Sequence, residues 1–470
     1  MYNARTSRSR IRRIIIPVVA AAFAMFLAGC GTSAPAKSGP KNVIVLIGDG
    51  MGFAHVTASS YYETGTPDGL SYQQFPVQYG MSTYSASGIG YNQVEANSDF
   101  DYFKKRPTDS AAAATAMGTG KKSYNGAIGV DMDKEPIINL CEIAEKAGKA
   151  SGVATSVNFP HATPAGYIAH TERRGNLQDI ARQMVFSNAE VIMGAGHPLY
   201  DNDGQLLETP DFSRVDTEAV WNMLVSGGTE ADGNTVQDID GDGKADAWTL
   251  VETPDDFEAL TTGATPKRVF GLARTASTLQ QRRAGDRKTE VAFQTPFLET
   301  VPSIATITKA AINVLSKNPN GFFLMVEAGG AVDWASHSNE SGRMLEEQIE
   351  MNRAVDAVIE WVEANSSWEE TLVIVTADHE TGYLCGPESG NITGEDGKVT
   401  AVWNPITGNG IGEMPNMAWY SGGHTNQLVP FYAKGAGSEL FEQYADEWDA
   451  KHGYYINNTE YAQLIERLWD

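Results

Sequence analysis

The strongest chemical signal in this sequence is a set of four carboxylates and three histidines at the ends of short apolar runs. Gly48-Asp49-Gly50-Met51-Gly52 follows NVIVLI. Glu327 follows FFLMV and leads into Asp333-Trp334-Ala335-Ser336-His337. Ala377-Asp378-His379-Glu380-Thr381-Gly382 follows LVIVT, and Ser421-Gly422-Gly423-His424-Thr425 lies near the C-terminus. Taken one at a time, a post-strand Asp is often a helix cap, and a lone His is usually a hydrogen-bonded surface or core residue. As a set, mixed Asp and His donors suit Zn²⁺ and similar ions.

Two further stretches add a nucleophile and a cation. Thr108-Asp109-Ser110 precedes an alanine run and starts a helix. A capped helix explains that pattern alone; the functional reading puts a nucleophilic Ser110 beside the positive helix end, where an anion is welcome. The stretch His161-Ala162-Thr163-Pro164 through Arg173-Arg174 offers a hydroxyl ligand and a guanidinium, the group suited to bidentate phosphate recognition. Gly118-Thr119-Gly120-Lys121-Lys122-Ser123 is a phosphate-loop lookalike that fails, because Lys122 stands where Ser or Thr is required and no strand precedes it. Neither G-x-S-x-G nor H-E-x-x-H occurs, so ordinary esterase and zincin motifs are missing.

These residues need a scaffold. Asn42–Ile47, Gly152–Val157, Phe322–Val326 and Leu372–Thr376 read as fully buried strands. Helices alternate with them, at Ile137–Lys149 and at Arg343–Glu363. In the second, Leu345, Ile349, Val355, Val358, Ile359 and Val362 form an apolar face, with Glu346, Glu347, Glu350 and Arg353 on the other. The alternation implies an α/β fold, a mostly parallel sheet covered by helices on both faces, with ligands beyond the carboxyl ends of the strands. Residues from about 198 to 300 are loop-rich, acidic and weakly periodic, and read as an insertion into a catalytic domain of residues 41–470.

Of the 470 residues, 42% are hydrophobic and 20% charged, enough for a large core. Lys and Arg total 35 against 59 Asp and Glu, a net charge of −24. Such acidity argues against nucleic acid as a partner. Five arginines lie in the first thirteen residues, followed by the apolar run 14–27 and then Leu27-Ala28-Gly29-Cys30. That layout reads as a secretory signal over residues 1–29, with Cys30 as a lipidated first residue and 30–40 as a tether. The expected location is the cell envelope, with the lipid as the sole membrane attachment. Cys141 and Cys385 remain; a pair and two free thiols are both open.

The ordered motifs GDGMG, TDSAAAATA, HATPAGYIAHTERR, VEAGGAVDWASH, TADHETG and SGGHT resemble the alkaline phosphatase family, over roughly residues 41–196 and 300–435. The resemblance implies a central mostly parallel sheet and a metal-dependent phosphomonoesterase. Ser110 would be the nucleophile, forming a phosphoserine, and Arg174 the phosphate clamp. One zinc would be held by Asp333, His337 and His424, and a second by Asp49, Asp378 and His379 with Ser110. Asp49 would also reach a third, magnesium-type site with Thr163 and Glu327. The family is often dimeric, so a homodimer is a candidate assembly.

The sequence departs from the family pattern in three places. His161 takes a position that is Asp in some members and His in others, and it bears on the occupant and affinity of the third site. Trp334 replaces a Lys or His beside the zinc-ligand Asp. The spacing from Glu327 to Asp333 is one residue longer than expected. The rival readings are a phosphodiesterase, nucleotide pyrophosphatase or sulfatase of the same superfamily, and a non-catalytic phosphate-binding lipoprotein of the envelope.

A separate motif lies in the insertion. Asp238, Asp240, Asp242 and Asp246 occupy positions 1, 3, 5 and 9 of a calcium-type loop with Gly243 at position 6. Thr249 stands where an EF-hand has Glu. The loop is a candidate Ca²⁺ site; a solvated acidic turn is the alternative.

Overall fold

The computed structural model describes residues 39–286, 288 and 291–470. Cys30 and the signal segment lie outside the described residues. The centre is an eleven-stranded sheet. Its strands are β1 (Asn42–Ile47), β2 (Val77–Ser82), β3 (Ala150–Asn158), β4 (Val191–Ala195), β5 (Thr249–Val251) and β6 (Val269–Leu272), then β7 (Phe322–Glu327), β8 (Thr371–Thr376), β9 (Val429–Gly435), β10 (Glu447–Asp449) and β11 (Gly453–Asn457). The spatial order is β10-β11-β2-β9-β8-β1-β7-β3-β4-β6-β5.

Seven neighbours from β8 through β5 run parallel, while β9 and β10 run against them. The four expected strands form β1, β7 and β8 and most of β3. Every residue of β1, β7 and β8 is buried, as the unbroken apolar runs require of strands covered on both faces.

Four helices bear on the site. Helix α1 is Ser110–Thr119, α2 Leu140–Lys146, α3 Gly330–His337 and α4 Ser341–Asn365. The expected helix 137–149 shortens to α2 because Asn139 caps it in a reciprocal box with Glu142, and Gly148 at φ 70° turns the chain out. All ten residues of α1 are buried. Its far end packs on the turn after β3: a Cβ on Gly118 would lie 2.5 Å from the Gly166 carbonyl, and one on Gly166 would lie 2.7 Å from the Ala114 methyl. The phosphate-loop lookalike straddles the end of α1, where Gly120 at φ 70° closes the helix. Cys141 and Cys385 are both free and buried.

The structure corrects two expectations. The segment 198–300 is not only an excursion, since β5 and β6 extend the central sheet. The chain after β6 then returns across the strand ends: Thr278 bridges Val157, and Leu279 N donates to the Ser156 carbonyl at 2.8 Å. The second concerns α4, whose polar side is also covered. Glu346, Glu347 and Glu350 are buried, while Arg353 is exposed. The fully buried Arg283 explains Glu346. Its guanidinium donates to Glu346 at 2.8 Å and to the carbonyls of Gln280, Thr295 and Pro296. Phe293 N donates to the other Glu346 oxygen at 2.6 Å.

Removing one partner of a buried ion pair leaves the other unpaired, which costs about 3–5 kcal/mol. Glu346→Ala is therefore expected to lower the unfolding free energy by about that much, read by urea denaturation of the metal-loaded protein. A change below about 1 kcal/mol would show that Arg283 is satisfied by its carbonyls alone.

Candidate active site

The parallel strands deliver their next polar residues to one edge. Asp49 follows β1, Glu327 ends β7, Asp378 and His379 follow β8, and Thr163 sits in the turn after β3. Gly50, at φ 78°, passes close to α3, where a Cβ would lie 2.8 Å from the Asp333 backbone. Its N–H donates to Asp378 Oδ1 at 3.1 Å. On α3, Asp333 and His337 are one turn apart and face the same way.

The residues expected to bind metal converge in three clusters. In the first, His337 Nε2 lies 3.1 Å from His424 Nε2, and Asp333 Oδ1 lies 3.3 and 3.5 Å from the two nitrogens. The Nδ1 of His337 faces the Gly422 carbonyl at 2.7 Å and that of His424 faces the Thr108 carbonyl at 2.8 Å. A carbonyl accepts only from N–H, which puts the proton of each neutral ring on Nδ1. Each Nε2 is then left to take a cation beside a carboxylate, either a proton or a metal ion.

The second cluster surrounds His379 Nε2, with Ser110 Oγ at 3.1 Å, Asp378 Oδ2 at 3.1 Å and Asp49 Oδ1 at 3.6 Å. In the third, donor atoms of Asp49, Glu327 and His161 lie within 4.8 Å of one another. Thr163 Oγ1 reaches Asp49 Oδ2 at 3.4 Å. The extra residue before Asp333 leaves Glu327 inside this group. His161, which the sequence tied to the third site without making it a ligand, contributes a donor atom of its own. Asp49 Oδ1, Asp378 Oδ2, Glu327 Oε1 and His161 Nδ1 are buried without a hydrogen-bond partner among the described residues. Orphaned carboxylate oxygens in such numbers fit metal ligation.

The electrostatics agree. Burial pushes the Asp378 carboxyl up to about 8 and the Glu327 carboxyl up to about 7. Burial, then the nearby Asp378 charge, raises Asp49. For Asp333, burial is outweighed by the His337 hydrogen bond and the neighbouring histidines, so its carboxyl is held low. The same hydrogen bond raises His337 to about 9. Burial and then Arg174 lower His161 to about 3. A divalent cation among these carboxylates reverses the penalty.

Ser110 Oγ opens onto a cavity of about 290 Å³ shared with Arg174, Trp334 and Arg282. Asp109, at the N-cap of α1, accepts from Ala112 N at 3.0 Å and from Arg174 at 3.1 Å, so one carboxylate fixes both the helix start and the guanidinium. Sequence reading quoted Asp109 but missed this second role, and it missed Arg282, for which no local pattern exists.

In the acidic loop, Asp238, Asp240 and Asp246 converge, while Asp242 stays outside the group. Lys267 donates to Asp240, and to Asp246 at 2.7 Å. Asp238 accepts from the N–H groups of Gly241, Asp242 and Gly243. The charge compensation expected of calcium is thus supplied by an ammonium, and an ion would have to displace it.

Converging Asp and His donors beside a serine and an arginine, all at the carboxyl edge of a parallel sheet, define a metal-dependent enzyme for an anionic substrate. Residues 40–407 match the family model for alkaline phosphatase. The chain is 32% identical over 389 residues to alkaline phosphatase H of Pseudomonas aeruginosa, covering 78% of this chain and 76% of that one. The solved structure of alkaline phosphatase from the Antarctic bacterium TAB5 superposes with a TM-score of 0.60 at 25% identity, over 92% of this chain and 99% of that one. A mutant of the TAB5 enzyme with Mg bound in its M3 site superposes with the same TM-score, 0.60, at 24% identity and with the same coverage, 92% and 99%. The chain belongs to the alkaline phosphatase family and is a phosphatase that hydrolyses phosphate monoesters. No helix among the described residues is long and apolar enough to cross a membrane.

From pH 6.5 to 9 the raised pKa values of Asp378, Glu327 and His337 act in one direction. Without metal, Asp378, Glu327 and His337 bind protons more tightly folded than unfolded, so their contribution to stability is lost as pH rises through about 8, 7 and 9. The chelated protein is expected to melt progressively lower across this range. The metal-loaded protein, its ligands already deprotonated, should change less. Equal slopes in scanning calorimetry would remove these residues as ligands.

Proposed function

We propose that the site works through a phosphoserine formed on Ser110, with two zinc ions and a third divalent ion. The observation that carries this reading is the approach of Ser110 Oγ to His379 Nε2, 3.1 Å away, between two donor clusters and in the cavity that Arg174 lines. Asp333, His337 and His424 would hold one zinc, and Asp49, Asp378 and His379 the other, with Ser110 as an added ligand. Bound there, the ions would make the serine alkoxide accessible near neutral pH and stabilise the attacking and leaving oxygens of an in-line displacement. Asp49, Glu327 and Thr163 would hold the third ion, magnesium-type by their oxygens. The His161 nitrogen in the same group shifts the preference toward a transition ion.

The chain's own residues do the rest. Arg174, held by Asp109, binds the non-bridging oxygens and aligns phosphorus with Ser110. Ser110 Oγ loses its proton and attacks, and the alcohol departs from the opposite side, taking up a proton. Water then attacks the phosphoserine from the side the alcohol left, releasing phosphate and restoring the hydroxyl. Two inversions give net retention at phosphorus. Thr163, Glu327 and Arg174 together favour a monoester over a diester.

Ser110→Ala is expected to cut turnover of p-nitrophenyl phosphate by orders of magnitude while leaving fold and metal content largely intact. Chelation should abolish wild-type activity and zinc restore it, with little turnover of the bis ester. Wild-type-like activity in Ser110→Ala would remove the nucleophile assignment. A dominant bis-ester activity would favour a phosphodiesterase.

We also assign residues 1–29 to export and Cys30 to lipid attachment, on the sequence pattern alone. Cys30→Ala should move activity from the membrane fraction to the soluble fraction. Equal partitioning of wild type and variant would overturn the assignment.

A further inference from the structure

The cavity at Ser110 holds two arginines, and the proposed chemistry uses only Arg174. Arg282 is the other. It comes from the return of the chain across the strand ends, and its neighbours on both sides are pinned. Gln281 donates to Glu340 at 2.8 Å, and Arg283 is locked to Glu346 at 2.8 Å. The Arg282 N–H itself donates to Thr278 Oγ1 at 2.9 Å. A held backbone therefore carries an exposed guanidinium into the cavity wall.

Its placement separates it from Arg174. The Arg174 guanidinium lies 3.4 Å from the His161 ring nitrogen. The His161 ring packs edge-on to Trp334 at 5.5 Å between centroids, and the Arg282 guanidinium carbon sits 5.0 Å from the Trp334 ring centroid. In this series of contacts two aromatic rings stand between the two guanidinia. Both guanidinia line the one cavity, with Arg282 on the Trp334 side of it. A cation on the face of an indole is oriented by the ring quadrupole, and a guanidinium carries five N–H donors. The uncharged Trp334 thus serves as a platform that sets a positive charge outside the phosphoryl site.

We propose that Arg282 is a specificity-determining residue for phosphate monoesters whose alcohol carries a second anionic group, a carboxylate or another phosphate. Arg174 holds the phosphoryl group being transferred, and Arg282 binds the anion on the leaving group. The proposal rests on the phosphomonoesterase reading of the Ser110 site.

Matched substrates test it in the zinc-loaded enzyme. The pairs are 3-phosphoglycerate against glycerol 3-phosphate and fructose 1,6-bisphosphate against fructose 1-phosphate. Arg282→Ala should lower the ratio of kcat/KM, charged over uncharged leaving group, by about tenfold in at least one pair, and Arg282→Lys should restore much of it. The pair that responds tells carboxylate from phosphate. Calorimetric titration of Ser110→Ala with the same ligands, with and without Arg282→Ala, reads the preference without turnover and should show the same loss. Ratios unchanged in both pairs and in the titrations would overturn the role of Arg282, including the case where all substrates fall together. Failure of the wild-type enzyme to hydrolyse p-nitrophenyl phosphate would instead overturn the Ser110 reading, with the titrations still deciding Arg282.

Discussion

Buried like charges are the constraint on which this structure turns. Asp49, Asp333, Asp378 and Glu327 are all withdrawn from water within one group of contacts. Each alone would cost several kcal/mol, and their mutual repulsion adds to it. The surrounding protein offers few compensating donors: Gly50 N for Asp378, Thr155 for Glu327, and Thr381 for Asp333 at 2.6 Å. The facing Nε2 atoms of His337 and His424 belong to the same arrangement. The donor set fits metal ions, whose charge would offset the repulsion.

The sheet makes this concentration of charge reachable. Parallel strands end on one side, so each strand-to-helix connection brings a short stretch of backbone to a common edge. Three adjacent strands, β8, β1 and β7, lie at the centre of the order and supply most of the carboxylates. The flanks supply different things. The turn after β3 brings Thr163 and His161, and α1 presents Ser110 with its cap Asp109. The return of the chain after β6 closes the rim. Rigidity there comes from the buried Arg283–Glu346 pair, which ties the rim to α4.

The donor residues were legible in the sequence because their signal is local. An unbroken apolar run sets a buried strand, and the polar residue that follows stands at its carboxyl end. Asp49, Asp378 and His379 needed no more than that, and Ser110 only the alanine helix that it starts, together with the order of the motifs. The unread features all depend on distant partners. Arg283 meets Glu346 across 63 positions, so the glutamates of α4 looked like a solvent face. Lys267 closes on Asp246 across 21 positions and lies outside any loop pattern. Arg282 sits in a stretch without periodicity, and only the fold lays its side chain on Trp334. His161 was recognised as a departure, but its orphaned Nδ1 is a fact of burial rather than of spacing.

Helix α1 has no face turned to solvent, and its last turn meets the Gly166 carbonyl where even one added carbon would collide. A side chain enlarged anywhere from Ala111 to Ala116 has no solvent to enter and must displace its neighbours, among them the turn that carries Thr163 and the helix Glu460–Trp469. Overpacking of that kind typically costs about 1–3 kcal/mol. Here the displacement would also be passed to the residue at the front of the helix, Ser110. The alanines therefore act as a mechanical stop behind the serine hydroxyl. A randomised library over the five alanines of this stretch should return little but alanine, glycine and serine among active clones.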